Sequence, residues 1–534
     1  MSANQIKIRR KESSESNRSR FRSVAIFAVL ILLGAIATFA LASFSVNFGF
    51  YSAPLEIVAD GNRQIIRVPA GGNLQEAVNR AKSGDIIEVQ AGAAYNEIIL
   101  PNKPLTDFIT IQSSAISKLP ENSRVTPKQL NLLAKIITRG GGKPAVSVEN
   151  GAHHYRLRGI EFVPATADYI YNLVLFGANE TKVADVPHDL EIDRCYFHPS
   201  KSGVVRRGLA LNSANTTVKN SYFEGFAFPQ EETQGICGWT GTKNVKILNN
   251  YIEGGAENVM FGGAPPAGAE LIPMDIEVSG NHFNKPAEWK NKVALKCLFE
   301  LKNAKRVQIV GNYFENAWDG SAFRLTVRSE DGKAPFNTIE DVLVKDNVID
   351  GAGEGINILG KDDYYEGRKD GAAGQTLKRL TITNNLFLNI GTEQLGGSGY
   401  FVQIADGEEI LIANNTSFNE GNIATFHAAL PKKLVIRDNI IGHGEYGVHG
   451  FNDLKSPAAQ RIFQNNVFIN NKNLSQNYSS FPPGNYLMSL QSIGFVNNAL
   501  NDFRLNPNSK LKGKAQNGRD IGSNLSFDFV SKVK

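Results

Sequence analysis

The chain has 534 residues with 57 Lys and Arg against 52 Asp and Glu, a formal net charge of +5. Residues 1 to 22 hold seven of those bases and two of the acids, which leaves 50 of each sign in the rest; the body is neutral and gives no reason to expect a nucleic-acid partner. Three cysteines (Cys195, Cys237, Cys297) without a CxxC pair exclude a disulfide framework and a zinc or dithiol motif, and leave a single disulfide open.

After the basic tail, Val24 to Phe44 runs uncharged as VAIFAVLILLGAIATFALASF. At about 1.5 Å per helical residue this covers the roughly 30 Å of a bilayer core. With basic residues before it and no charge until Glu56, the N-terminus is expected in the cytoplasm and the body outside. Residues 23–46 are therefore expected to form one transmembrane helix. The alternative is a cleaved secretory signal ending at the small-x-small site Ala40-Leu41-Ala42. A linker, 47–65, follows.

The segment NLQEAVNRAKSG, Asn73 to Gly84, predicts a short helix. Asn73 and Glu76 have capping-box spacing, Leu74, Ala77, Val78 and Ala81 make an apolar stripe, and Gly84 terminates it. It should plug the open end of whatever follows, with DIIEVQ (Asp85 to Gln90) as the first strand.

A repeat then dominates the chain: a strand with alternating β-branched residues, an Asn, and an aromatic or aliphatic residue soon after. It reads VKILNNYI, IEVSGNHF, VQIVGNYF, VLVKDNVI, LTITNNLF, LIANNTSF, LVIRDNII and RIFQNNVF, with Asn250, Asn281, Asn312, Asn347, Asn385, Asn415, Asn439 and Asn466 at intervals of 24 to 38 residues. Such a period marks a solenoid. Short period-2 strands bury little alone, but stacked coils bury one continuous column and pair each backbone with the next. Asn tolerates the left-handed backbone of a tight bend and can hydrogen-bond along a stack. The expected fold is all-β: a single-stranded right-handed parallel β-helix of about a dozen coils over 66–500, with an N-terminal capping helix and a closing segment at 501–534.

These coils, with DFRLNPNSKLKGKAQNGRDIGS (Asp502 to Ser523), resemble the pectin-lyase-like superfamily of right-handed β-helices. That resemblance implies three sheets per coil, with the Asn corner between the second and third sheets and substrate along the outward face of the first. First-sheet strands are then GLALN, GICGW, ENVMF, CLFELK, AFRLTVR, GINIL, FVQIA, IATFH and GVHGF. Alternation turns Phe299, Leu301, Phe323, Leu325 and Val327 inward and Glu300, Lys302, Arg324, Thr326 and Arg328 outward.

The order Lys302, Asn312, Arg324 is similar to the chondroitinase B and alginate lyase family, in which a Lys and an Arg on adjacent coils act with calcium. The resemblance implies Lys302 as base, Arg324 and Arg328 as stabilisers of carboxylate or oxyanion, and Glu300 as metal ligand or orienting group. The family's E-x-E pair upstream of the lysine is missing here. Glu257 and Asn258 offer further oxygens to a hard cation, against the plainer reading of a bulged bend. Trp239, Trp289 and Trp318 are candidate sugar platforms, against core packing, and His427 is expected further along the face. The expected partners are a polysaccharide and, through the N-terminal helix, a membrane. An enzyme of the uronate-lyase kind and a non-catalytic carbohydrate-binding or adhesive β-helix are both compatible with these residues. A polygalacturonase-like reading fails because Asp362-Asp363 follows the strand in a loop and lacks its usual Asn-Thr-Asp partner.

Overall fold

The computed structural model describes residues 52–362, 375–427, 429–450, 460–471 and 481–534. The expected anchor at 23–46 lies outside the described residues. Among those described, no helix is long and apolar enough to cross a membrane.

From Arg63 to Met488 the strands stack in parallel into a β-helix. The strands that precede the Asn corners form one sheet, from Arg63–Val68 through Lys243–Leu248, Met274–Ser279 and Ala304–Val310 to Ile462–Gln464. The strands after the corners and those that follow them form the third and first sheets. The two are joined because Tyr313–Thr326 and Val348–Leu359 run around the bend as single strands. Large apolar side chains fill the interior: Phe162, Phe197, Phe223, Phe283 and Phe314 are buried, with Phe197 over Phe223 at 4.2 Å and Phe283 over Phe314 at 4.3 Å.

The corners divide the work expected of one asparagine between two residues. The left-handed backbone belongs to the residue before the repeated Asn, or before Ser221 in an earlier coil: Asn220, Asn249, Gly280, Gly311, Asp346, Asn384, Asn414, Asp438 and Asn465 have φ between 51° and 68°. Side chains there are buried at Asn220, Asn414 and Asp438 and half-buried at Asn249, Asp346, Asn384 and Asn465. The repeated Asn itself turns inward and is fully buried from Asn250 to Asn466. Its Oδ1 accepts both the backbone N–H and the side-chain N–H of the preceding rung, as in Asn281 on Asn312 (3.0 and 3.0 Å) and Asn312 on Asn347 (3.0 and 3.0 Å). The ladder runs on to Asn485, and in the earlier coils Ser221 and Cys195 occupy the same position. Buried polar groups need partners, and here each rung supplies the next.

Both ends of the coil stack are covered differently from the expectation. The helix, Leu74–Arg80, does place Leu74, Ala77 and Val78 in the core, and Asn73 Oδ1 accepts the Glu76 N–H at 3.0 Å. Glu76 pairs with Arg80 (2.5 Å) instead of reaching back, and Lys103 caps the far end by donating to the carbonyls of Val78, Asn79 and Ala81. The first parallel strand is Arg63–Val68, before the helix, and an antiparallel strand from within the expected linker, Glu56–Asp60, covers its free edge. The closing segment runs back along the outside of the third sheet. Asn465 holds the Lys514 carbonyl, Asn414 that of Asp520, and Arg124 that of Val533, while Phe503, Leu505, Leu511, Ile521, Val530 and Val533 cover Tyr313, Val348, Leu386 and Ile440.

All three cysteines are free and buried. Burial pushes the Cys195 thiol up to about 12.

Candidate functional site

Strand register brings the expected patch together. Met260, Glu300, Arg324, Asn357 and Gln403 are successive rungs of one outward row of the first sheet. Lys302 follows Glu300 by two residues, so it shares that face. The Glu300 carboxylate is buried between its neighbours: Thr326 Oγ1 donates at 3.4 Å, Arg324 Nε lies at 3.6 Å and Lys302 Nζ at 3.8 Å. Lys302 and Arg324 keep 16% and 28% of their side chains exposed, enough to reach a ligand lying on the face. Burial alone would lower the Arg324 pKa, but the negative groups around it, Glu300 foremost, together raise it. Glycine is required beside them. A Cβ on Gly262 (φ 97°) would come within 2.9 Å of Lys302 Cβ and the Asn303 backbone nitrogen.

Arg328 is engaged elsewhere, with Nη1 3.1 Å from Asp362 Oδ1, and the same carboxylate accepts the Ser329 N–H and Oγ–H at 2.7 Å each. It anchors the loop that leaves the strand.

Glu257 lies on the outward face in the coil before Glu300, fully buried, where its Oε2 accepts from Gln234 Nε2 at 2.8 Å. Burial, then the Glu300 charge, push its carboxyl pKa up. Asn258 does not join it. The next residue of the strand turns into the solenoid, and its amide donates to the carbonyls of Ile252 (2.7 Å) and Asn284 (2.8 Å). The expected calcium ligands therefore do not converge, and among the described residues no three His, Cys, Asp or Glu side chains are grouped to hold a metal ion.

The aromatic candidates separate. Trp239 is half-buried at the end of its strand, its ring N–H fixed on the Ala178 carbonyl (3.0 Å) and the Arg207 guanidinium 4.9 Å from its ring. Trp289 is half-buried in the turn Ala287–Trp289. Trp318 is only 8% exposed inside the strand Tyr313–Thr326 and offers no ring face, a correction that follows from its place at the continuous corner. His427 is exposed on the same face, but four rungs beyond Lys302, a separation of about 19 Å at ~4.8 Å per rung.

Sequence reasoning missed Lys296, Glu232 and Gln234 around Glu257. It also missed Tyr400, whose hydroxyl donates to Glu354 at 2.7 Å beside Ser321. Gln234 and Tyr400 precede inward-facing residues by two positions, where alternation assigns them to the interior. Their hydrogen bonds instead set Gln234 against Glu257 and Tyr400 against Glu354.

No protein-family model matches the chain, and no curated protein matches it. Among solved structures, a PL6-family alginate lyase, AlyGC, is 15% identical with a TM-score of 0.54 over 86% of this chain; the chain spans only 57% of that lyase's length. A mannuronic acid specific polysaccharide family 6 lyase from human gut microbiota matches over 80% of this chain and 91% of its own, at 11% identity and TM-score 0.41. The tailspike protein of an E. coli bacteriophage, solved with a pentasaccharide, matches over 78% and 62% at 14% identity and TM-score 0.40. The likeness to the alginate lyase establishes the fold alone: a right-handed parallel β-helix.

Proposed function

We propose that the outward face of the first sheet binds an acidic polysaccharide and cleaves it by β-elimination at Lys302 and Arg324. The observation that carries this reading is a Lys and an Arg from adjacent coils flanking one buried carboxylate on a partly open face. In the proposed step Arg324 pairs with the uronate carboxylate, which makes the neighbouring C5 proton more acidic. Lys302, as the free amine, takes that proton; the C4–C5 double bond forms, the C4–O4 bond breaks, and water protonates the departing O4. Glu300 holds the Lys302 and Arg324 side chains in register. Trp239, with its fixed ring, borders the bound chain in this reading, and the protein works outside the cell, held to a membrane by residues 23–46.

A second reading, binding without turnover, is favoured by one feature: Glu300 already engages both cations, so the face is charge-satisfied without a reaction. Incubation with alginate, pectate and glycosaminoglycans, following the ultraviolet absorbance of the unsaturated product, separates the two. Absorbance that grows in wild type and is lost in Lys302→Ala supports elimination. Saturable glycan binding with no absorbance change on any polymer supports the second reading.

A further inference from the structure

Beside the Lys302 patch an ammonium sits among oxygens that would otherwise suit a metal. Lys296 enters the strand Cys297–Leu301 from the preceding loop, with its backbone N–H on the Ala256 carbonyl at 3.2 Å. Its Nζ lies 2.6 Å from Glu232 Oε1 and 3.4 Å from Glu257 Oε1. Glu257 and Gln234 are fully buried and Glu300 is 1% exposed. Glu257 Oε1, Gln234 Oε1 and Glu300 Oε2 each lack a hydrogen-bond donor. Carboxylate oxygens are donors that a hard divalent cation selects. Here two of them, from Glu232 and Glu257, meet the side chain of Lys296.

We propose that Lys296 is a resident cation that takes the seat of a divalent metal in this face, so that glycan carboxylates are met by fixed ammonium and guanidinium groups and calcium is not required. Three acids, Glu232, Glu257 and Glu300, stand against three bases, Lys296, Lys302 and Arg324, which leaves no surplus negative charge to draw in a divalent ion. The charge on Lys296 is secure: burial alone would lower its pKa, and Glu257, Glu300 and Glu232 together raise it. Asn258, the neutral oxygen that would complete a cage, is committed to the interior. The identity of the ligand rests on the reading in the preceding section, whereas the exchange of metal for ammonium stands on this geometry alone.

The test is direct cation binding, independent of turnover. Ca2+ is titrated calorimetrically, and Tb3+ by luminescence excited through tryptophan, into the full chain, its Lys296→Ala variant and the double variant Lys296→Ala/Glu257→Gln. Wild type is expected to show no saturable binding in the submillimolar range where extracellular calcium modules operate. Lys296→Ala, with the carboxylates uncovered, is expected to gain saturable binding, and the double variant to lose it again. Submillimolar binding to wild type that Glu257→Gln or Glu300→Gln abolishes would overturn the proposal whether or not Lys296→Ala folds. A folded Lys296→Ala that gains no binding would overturn it too. If no polymer is cleaved, the elimination reading fails while this result still decides the cation question.

Discussion

Replacing Asn312 with alanine removes one rung from the middle of the asparagine ladder. The side chain is fully buried; it accepts from Asn281 N and Nδ2 and donates to the Val278 carbonyl (2.8 Å) and Asn347 Oδ1. Four groups lose a partner, but Asn281 Nδ2 keeps the Ile247 and Ser279 carbonyls and Asn347 Oδ1 keeps the backbone N–H of residue 312; the Asn281 backbone N–H and the Val278 carbonyl lose theirs, at about 1–3 kcal/mol for each group left unsatisfied, so a loss of about 3–4 kcal/mol is expected. Asn312→Asp restores the acceptor for Asn281 but sets a carboxylate oxygen against two oxygens that need a donor. It should lose at least as much as alanine at neutral pH. Burial and those oxygens raise the new carboxyl's pKa in the folded state, so part of the loss should return at low pH, where the acid is protonated and can donate. Urea unfolding followed by circular dichroism measures the difference, with the exposed Asn131→Ala as a control expected within about 0.5 kcal/mol of wild type. A solenoid can open coil by coil, so amide exchange at Asn281 is the local readout. A loss under about 1 kcal/mol in Asn312→Ala, or an Asp variant more stable than the Ala variant at pH 7, would refute the account of the ladder.

Other consequences follow from the site and the core. If elimination is the reaction, Lys302→Ala should lower kcat by about 10²–10⁴-fold, the usual worth of a general base, and Arg324→Ala should cost roughly 10²-fold or more in kcat/KM. Glu253 is 4% exposed, and burial pushes its carboxyl up to about 7 from an ordinary value of 4.5. Its folded state therefore holds the proton more tightly than the unfolded one, and the protein should lose up to about 3 kcal/mol of stability as pH rises from 4.5 to 7. Glu253→Gln should flatten that fall; an unchanged slope would rule Glu253 out as its source. Iodoacetamide should label none of the three cysteines in the native protein at pH 8 and all three after denaturation, as read by mass spectrometry.

The fold was legible because its period is physical: a coil cannot bury its strands without neighbours, so apolar alternation recurs along the solenoid, with a buried Asn in each turn from Asn250 to Asn466. Alternation placed Glu300, Lys302 and Arg324 on one face, since residues two apart share a side of a strand wherever the strand is regular. It failed where strands were irregular. Gln234 is the first residue of its strand, Tyr400, Lys296 and Glu232 come from loops, and Trp318 lies on a strand that continues through a corner. The residue that carries the left-handed bend could not be told from its neighbour by composition, because both positions accept Asn.

Local sequence determined the repeat, the inward and outward sides of regular strands, and the short N-terminal helix, all of which depend on residues close in the chain. Only the tertiary structure decided which coil meets which. Register between strands 24 to 38 residues apart set Glu300 beside Arg324. Loop geometry brought Lys296 from outside the strand pattern to Glu232 and Glu257, and packing laid the closing segment along the third sheet. Those contacts depend on how far each loop carries the chain, a quantity that no periodic pattern encodes.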